Sequence, residues 1–146
     1  MRIFLDFDGV LRRESFPKSR LDADCLRNLE LAVLTHSEVR VVITSTWRLV
    51  HGLDGLRGLF SPEFGARIEG ATPDLPEVEG YPRHAEVQAY LATNRAPDPL
   101  WIAIDDDAGE FHPQPRAARA RSAAPRPAEW CPGRESNPHG LSAWGF

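Results

Sequence analysis

The tightest constraint on the fold comes from short apolar runs that each stop at a polar or acidic residue. Residues 2–7 (RIFLDF), 39–44 (VRVVIT) and 100–104 (LWIAI) are runs of this kind. Near-continuous apolar character suits strands covered on both faces, as in a parallel sheet. Residues 66–71 (ARIEGA) can supply a further short strand. Between these runs the period changes to a helical one. Cys25, Leu26, Leu29, Ala32 and Val33 share one face of a helix over 22–34, with Asp22 as its cap. Leu49, Leu53, Leu56 and Phe60 are also spaced for a helix, weakened by Gly52, Gly55 and Gly58 at about 1 kcal/mol each. Pro82 can open a helix reaching Leu91, with Val87, Tyr90 and Leu91 facing inward. Strands alternating with helices imply βαβ units, an α/β fold with a parallel sheet.

How much of the chain builds that fold follows from its charge and proline distribution. The 146 residues carry a net charge of −4, but residues 1–113 hold 12 Lys+Arg and 19 Asp+Glu, whereas residues 114–146 hold 5 and 2. Six of the 13 prolines lie from Pro113 onward. Residues 1–112 are therefore expected to form the folded core, and 113–146 a disordered basic tail rich in proline, arginine and alanine. Within that tail, residues 130–140 (WCPGRESNPHG) resemble the product of a transfer-RNA gene translated by mistake, so a frameshifted or mistranslated extension is expected there. No 18-residue apolar stretch exists, which excludes a spanning helix. The N-terminal residues show no secretory pattern, and Cys25 and Cys131 have no zinc or disulfide-framework spacing. A cytoplasmic location is expected.

The chemistry-bearing residues collect where the strands end. Asp6 and Asp8 with Gly9 close the first, Thr44 and Ser45 the second, Asp105, Asp106 and Asp107 the fourth, while Arg83 opens a helix. Ligands of open α/β sheets bind beyond the C-terminal strand ends, and adjacent strands stand ~4.8 Å apart. Five converging carboxylates repel one another unless a cation joins them, and oxygen donors without His or Cys favour Mg²⁺. No GxGxxG or GxxxxGK[ST] run is present, so dinucleotide and P-loop nucleotide binding lack support.

Residues 4–11 (FLDFDGVL) resemble the first motif of the haloacid-dehalogenase-like (HAD) phosphohydrolase superfamily. Residues 41–45 (VVITS) resemble its second motif and 102–106 (IAIDD) its fourth. The run STWR after the second strand, together with WIAIDD, is most similar to the HAD domain of Swiss-army-knife RNA repair proteins. The likeness spans roughly residues 1–112. It implies a HAD-like Rossmannoid fold, a three-layer α/β/α sandwich around a parallel sheet. The intervals from Asp8 to Thr44 and from Thr44 to Arg83 leave no room for a sizeable cap domain. The superfamily fold usually continues past its fourth motif with a helix and often a fifth strand, and the sequence after 112 carries no pattern for either.

The resemblance also implies roles. The chain would be a Mg²⁺-dependent phosphatase, a phosphomonoesterase working through an aspartyl-phosphate. Asp6 would be the nucleophile and Asp8 the general acid and base, its carbonyl joining Asp6, Asp105 and Asp106 around the metal. Thr44 or Ser45 would bind the phosphoryl group, with Thr44 preferred because it directly follows the apolar strand. No lysine occurs between 72 and 104, so Arg83 takes the basic position of the third motif and offers a bidentate phosphate contact. An uncapped site favours a bulky phosphorylated substrate such as a nucleic acid end. Trp47 and Arg48 are candidates for contacting it by stacking and charge. Two rival readings come from other classes. One is a catalytically impaired HAD-like module that binds phosphate or a partner without turnover. The other, a phosphoacceptor receiver domain, is rejected because the acidic pair comes last and no lysine follows Lys18.

Overall fold

In the computed structural model, residues 1–13, 20–75, 78–94, 100–112 and 142–145 are described. They form a five-stranded sheet whose strands are β1 (Arg2–Leu5), β2 (Arg40–Ile43), β3 (Ile68–Ala71), β4 (Trp101–Asp105) and β5 (Ser142–Gly145). The order across the sheet is β3-β2-β1-β4-β5. β1 to β4 are mutually parallel, and β5 lies antiparallel along β4. The helices are α1 (Ala23–Leu34), α2 (Leu53–Arg57), α3 (Pro62–Gly65) and α4 (Pro82–Thr93).

Side chains on successive strand residues point to opposite faces, and the sheet divides its core accordingly. Ile3, Leu5, Val41 and Ile43 face Cys25, Leu29 and Val33 of α1, Leu56 of α2 and Phe64 of α3. Phe4, Val42, Trp101 and Ala103 face Val87 and Tyr90 of α4. Phe4 meets both Tyr90 and Trp101 edge-on, at centroid distances of 5.9 and 5.4 Å. This is the expected three-layer α/β/α arrangement with a parallel sheet. Each parallel crossover is filled by its own helices, and no cap domain is present among the described residues.

Local chemistry explains the helix boundaries. The buried Asp22 caps α1 by accepting from Asp24 N–H at 2.9 Å, and it is also ion-paired with Arg13. A cap of this kind contributes about 1 kcal/mol. Burial pushes the Asp22 carboxyl up, but Arg13 and the Asp24 backbone outweigh it and hold the group below its ordinary value. Pro82 occupies the first turn of α4, where its missing N–H costs nothing. The stretch after β2 differs from the single helix that its apolar spacing predicts. It breaks into a 3-10 turn over Thr46–Leu49, then α2, then α3. Gly52 and Gly58 stand at the two ends of α2, and Ser61 starts α3 by accepting from Phe64 N–H.

The tail also departs from expectation at one place. Ser142–Gly145 form β5, with Asp105 opposite Ser142 and Ile102 opposite Gly145. Four short residues without alternation gave no strand signal in sequence, and the pairing is long-range. The other residues expected to be disordered, 113–141 and 146, lie outside the described residues. No helix among the described residues is long and apolar enough to cross a membrane.

Candidate active site at the C-terminal edge of the sheet

The site begins with strand alignment. Beyond β1, Asp6 N–H still bonds the Ile104 carbonyl at 3.0 Å, and beyond β2 Thr44 N–H bonds the Leu5 carbonyl at 2.9 Å. Thr72 N–H continues the pattern to Ile43 at 2.9 Å. The three central strands therefore end level, and their next residues fall side by side. Carboxylate oxygens of Asp6, Asp105 and Asp106 come within 4.8 Å of one another. Asp6 and Asp105 are 7% and 4% exposed.

The chain then turns sharply. The Phe7 carbonyl accepts from the N–H groups of Val10, Leu11 and Arg12, at 3.3, 2.7 and 2.9 Å. Gly9 sits within this loop at φ +76°, a conformation that a side chain disfavours. Space matters there as well: a Cβ on Gly9 would lie 1.9 Å from Asp106 Oδ2. Glycine at this position thus makes room for the third carboxylate. Asp8 stands apart from the trio, ion-paired with Arg12 and with its side chain 40% exposed.

Burial dominates the electrostatics. It raises the Asp6 carboxyl to about 6, against the pull of Arg83, the Phe7 backbone and the Ser45 side chain, with Asp8 adding a smaller push upward. Asp105 is pushed to about 7, first by burial and then by Asp6, with the Asp107 N–H and Arg83 opposing. Asp105 Oδ1 accepts from Asp107 N–H at 2.9 Å, whereas Oδ2 is buried without a hydrogen bond among the described residues. Its neighbour is Arg83 Nε at 3.8 Å, which is buried and also makes no hydrogen bond. Three crowded carboxylates, one with an orphaned oxygen, form an all-oxygen donor set suited to a hard divalent cation.

Thr44 and Ser45 are both buried but differ in use. The Thr44 carbonyl accepts from Arg48 and Arg83. Ser45 Oγ faces the Asp6 carboxylate yet lies outside hydrogen-bond geometry with any described partner. Trp47 and Arg48, which the sequence offers as candidate substrate contacts beside a packing role, have largely buried side chains. Trp47 packs edge-on against Phe7 at 5.6 Å. Arg48, with its side chain 4% exposed, donates to the carbonyls of Thr44, Thr72 and Pro73 and to Glu86. Stacking on a base or reaching a phosphate would require dismantling these contacts. Glu86 gave no functional signal in sequence beyond lying three residues after Arg83 on α4. Its only readable cue was an acidic residue on the helix side that also carries Val87 and Tyr90 inward.

The raised carboxyls make stability depend on pH with a definite sign. The folded state keeps protons that the unfolded chain releases near pH 4, so their favourable contribution is full below that and is lost as pH rises through about 6 and 7. Without added divalent metal, stability should fall by on the order of a few kcal/mol between pH 4.5 and 7.5. Urea midpoints across that range measure this, and a midpoint independent of pH would contradict the buried-carboxylate account. Gly9→Ala should displace Asp106 and weaken divalent-cation affinity at least about tenfold, the order of one lost charged contact. Calorimetric metal titration provides the check.

A family model described as the HAD domain in Swiss Army Knife RNA repair proteins matches residues 2–124. No curated protein and no solved structure matches the chain.

Proposed function

The chain belongs to the HAD domains of Swiss Army Knife RNA repair proteins, and from that premise we propose that it is a Mg²⁺-dependent phosphomonoesterase acting on polynucleotide ends. The observation that carries the reading is the packing of Asp6, Asp105 and Asp106 to within 4.8 Å of one another beside Arg83. Held by these three side chains and the Asp8 carbonyl, Mg²⁺ would neutralise phosphate charge and orient the phosphoryl group.

In the first half-reaction an Asp6 oxygen bonds to phosphorus as the ester P–O bond breaks. Asp8 gives its proton to the departing oxygen, releasing the alcohol. In the second, Asp8 takes a proton from water, whose oxygen bonds to phosphorus and frees inorganic phosphate and Asp6. The low dielectric that raises Asp6 is opposed by Arg83, which favours the ionised nucleophile. The Asp8 side chain is 40% exposed, so a leaving group and water can both reach it, and its ion pair with Arg12 opens when it carries the proton.

Arg83 and Ser45 hold the phosphoryl oxygens. Ser45 is assigned this role in preference to Thr44. Its buried hydroxyl faces the Asp6 carboxylate, whereas the use observed for Thr44 is through its carbonyl. Trp47 and Arg48 serve packing and bracing. The substrate class rests on two supports: the RNA repair context of the family and the lack of a cap among the described residues.

Phosphate release from 3′- and 5′-phosphorylated oligonucleotides and from small phosphoesters, with and without Mg²⁺, tests the proposal. Asp6→Asn should reduce turnover roughly a thousandfold or more while the fold survives. Full activity in that variant would end the nucleophile assignment. Binding of Mg²⁺ with no release from any ester would instead indicate a phosphate-binding module without turnover. Ser45→Ala should cost about ten- to a hundredfold in kcat/KM, more than Thr44→Val; the reverse order would return the role to Thr44.

A further inference from the structure

Glu86 is a charged group inside the protein that the proposed chemistry leaves unused. It is 6% exposed and sits on α4, one helical turn after Arg83. Its two oxygens are divided between two arginines. Oε1 accepts from Arg48 Nη2 at 2.7 Å, and Oε2 accepts from Arg83 Nη1 at 3.1 Å, with Thr72 Oγ1 at 3.5 Å from Oε2. Both arginines also donate to one acceptor, the Thr44 carbonyl at the end of β2.

The two guanidiniums repel each other, and Arg83 correspondingly helps to lower the Arg48 pKa, behind burial as the larger cause. Arg48 is immobilised by Thr44, Thr72 and Pro73. Arg83 has fewer backbone anchors among the described residues: it is tied to Thr44 and Glu86, and its Nε faces Asp105. Arg83 is therefore the arm whose direction depends on the carboxylate between the two cations.

We propose that Glu86 is a positioning residue: by bridging the fixed Arg48 to Arg83 it holds the Arg83 guanidinium against the strand end, aimed at the carboxylate cluster and ready for a phosphoryl group. The inference rests on the reading of Arg83 as a phosphate-holding residue. Arg48 is the anchor of this device and makes no substrate contact. One negative charge between two positive ones leaves a net positive charge facing Asp6 and Asp105.

The test uses Glu86→Gln, which removes the charge and keeps the shape, and Glu86→Asp, which keeps the charge and withdraws it. Each is compared with the natural chain for affinity toward inorganic phosphate in the presence of Mg²⁺, for kcat and KM on a phosphoester, and for hindered rotation of the Arg83 guanidinium, seen as separate Nη signals by nitrogen-edited NMR. Both variants should remain folded and lose about ten- to a hundredfold in phosphate affinity, the range expected for a lost charged hydrogen bond. KM should rise more than kcat falls, and the Arg83 Nη signals should merge as the guanidinium turns freely. Added to Arg83→Ala, Glu86→Gln should cause no further loss, because the two residues act as one unit. Unchanged phosphate affinity or unchanged Arg83 Nη signals in a folded variant overturns the proposal, as do losses that multiply in the double variant. Failure of both variants to fold also overturns it, by making Glu86 a stability residue. If the natural chain neither binds phosphate nor cleaves esters, the phosphatase reading falls, and the Arg83 resonance alone still decides the role of Glu86.

Discussion

The burial of Asp6 and Asp105 beside Asp106 is the constraint around which the rest of this molecule is arranged. Asp6, Asp105 and Asp106 are brought together by backbone geometry rather than by mutual attraction, since the ends of β1 and β4 lie level and side by side. At close range and low dielectric such a group is costly unless protons or cations compensate it. Arg83 supplies part of that compensation from one side, favouring the charged form of both carboxyls against the larger effect of burial. The three carboxylates together form an oxygen donor set that could hold a divalent ion. The sheet meets the cost through its core: Phe4, Leu5, Val42 and Ile43 are fully buried directly beneath the charged layer.

A second layer of order sits behind the first. The Thr44 carbonyl receives two guanidiniums, one from the turn after β2 and one from α4, and Glu86 joins them. An inside-out ion network of this type is seldom the most stable filling for its volume. Its value is geometric, because it couples the end of β2, the segment after β3 and the start of α4 into one rigid unit. Trp47 extends that unit toward Phe7 and so toward the loop that carries Asp8 and Gly9.

Much of the fold was legible in sequence because it rests on local patterns. The apolar runs marked β1, β2 and β4, Asp22 and Pro82 marked helix starts, and the acidic strand ends marked where Asp6, Asp105 and Asp106 would meet. What escaped depends on partners distant in the chain. Nothing near Arg48 indicates that it turns inward, because its carboxylate partner Glu86 lies on another helix and its carbonyl partners lie after β3. The split of the segment after β2 was foreshadowed by its glycines, yet the apolar spacing argued the other way. Choosing between Thr44 and Ser45 depends on which of two buried hydroxyl residues faces Asp6, and strand position alone carries no information on that. β5 was invisible because four small or aromatic residues without alternation carry no strand signal of their own.

The void that Gly9 leaves for Asp106 has a consequence for how this sequence can change over time. The two positions follow different strands and lie far apart in the chain, yet they share one small volume above the sheet. A larger residue at 9 is tolerable only if 106 shortens or withdraws, and a bulkier acid at 106 needs position 9 to stay bare. Each site therefore sets the other's tolerance, and substitutions there are epistatic: a homologous lineage could drift at one position only along paths that the other has already opened.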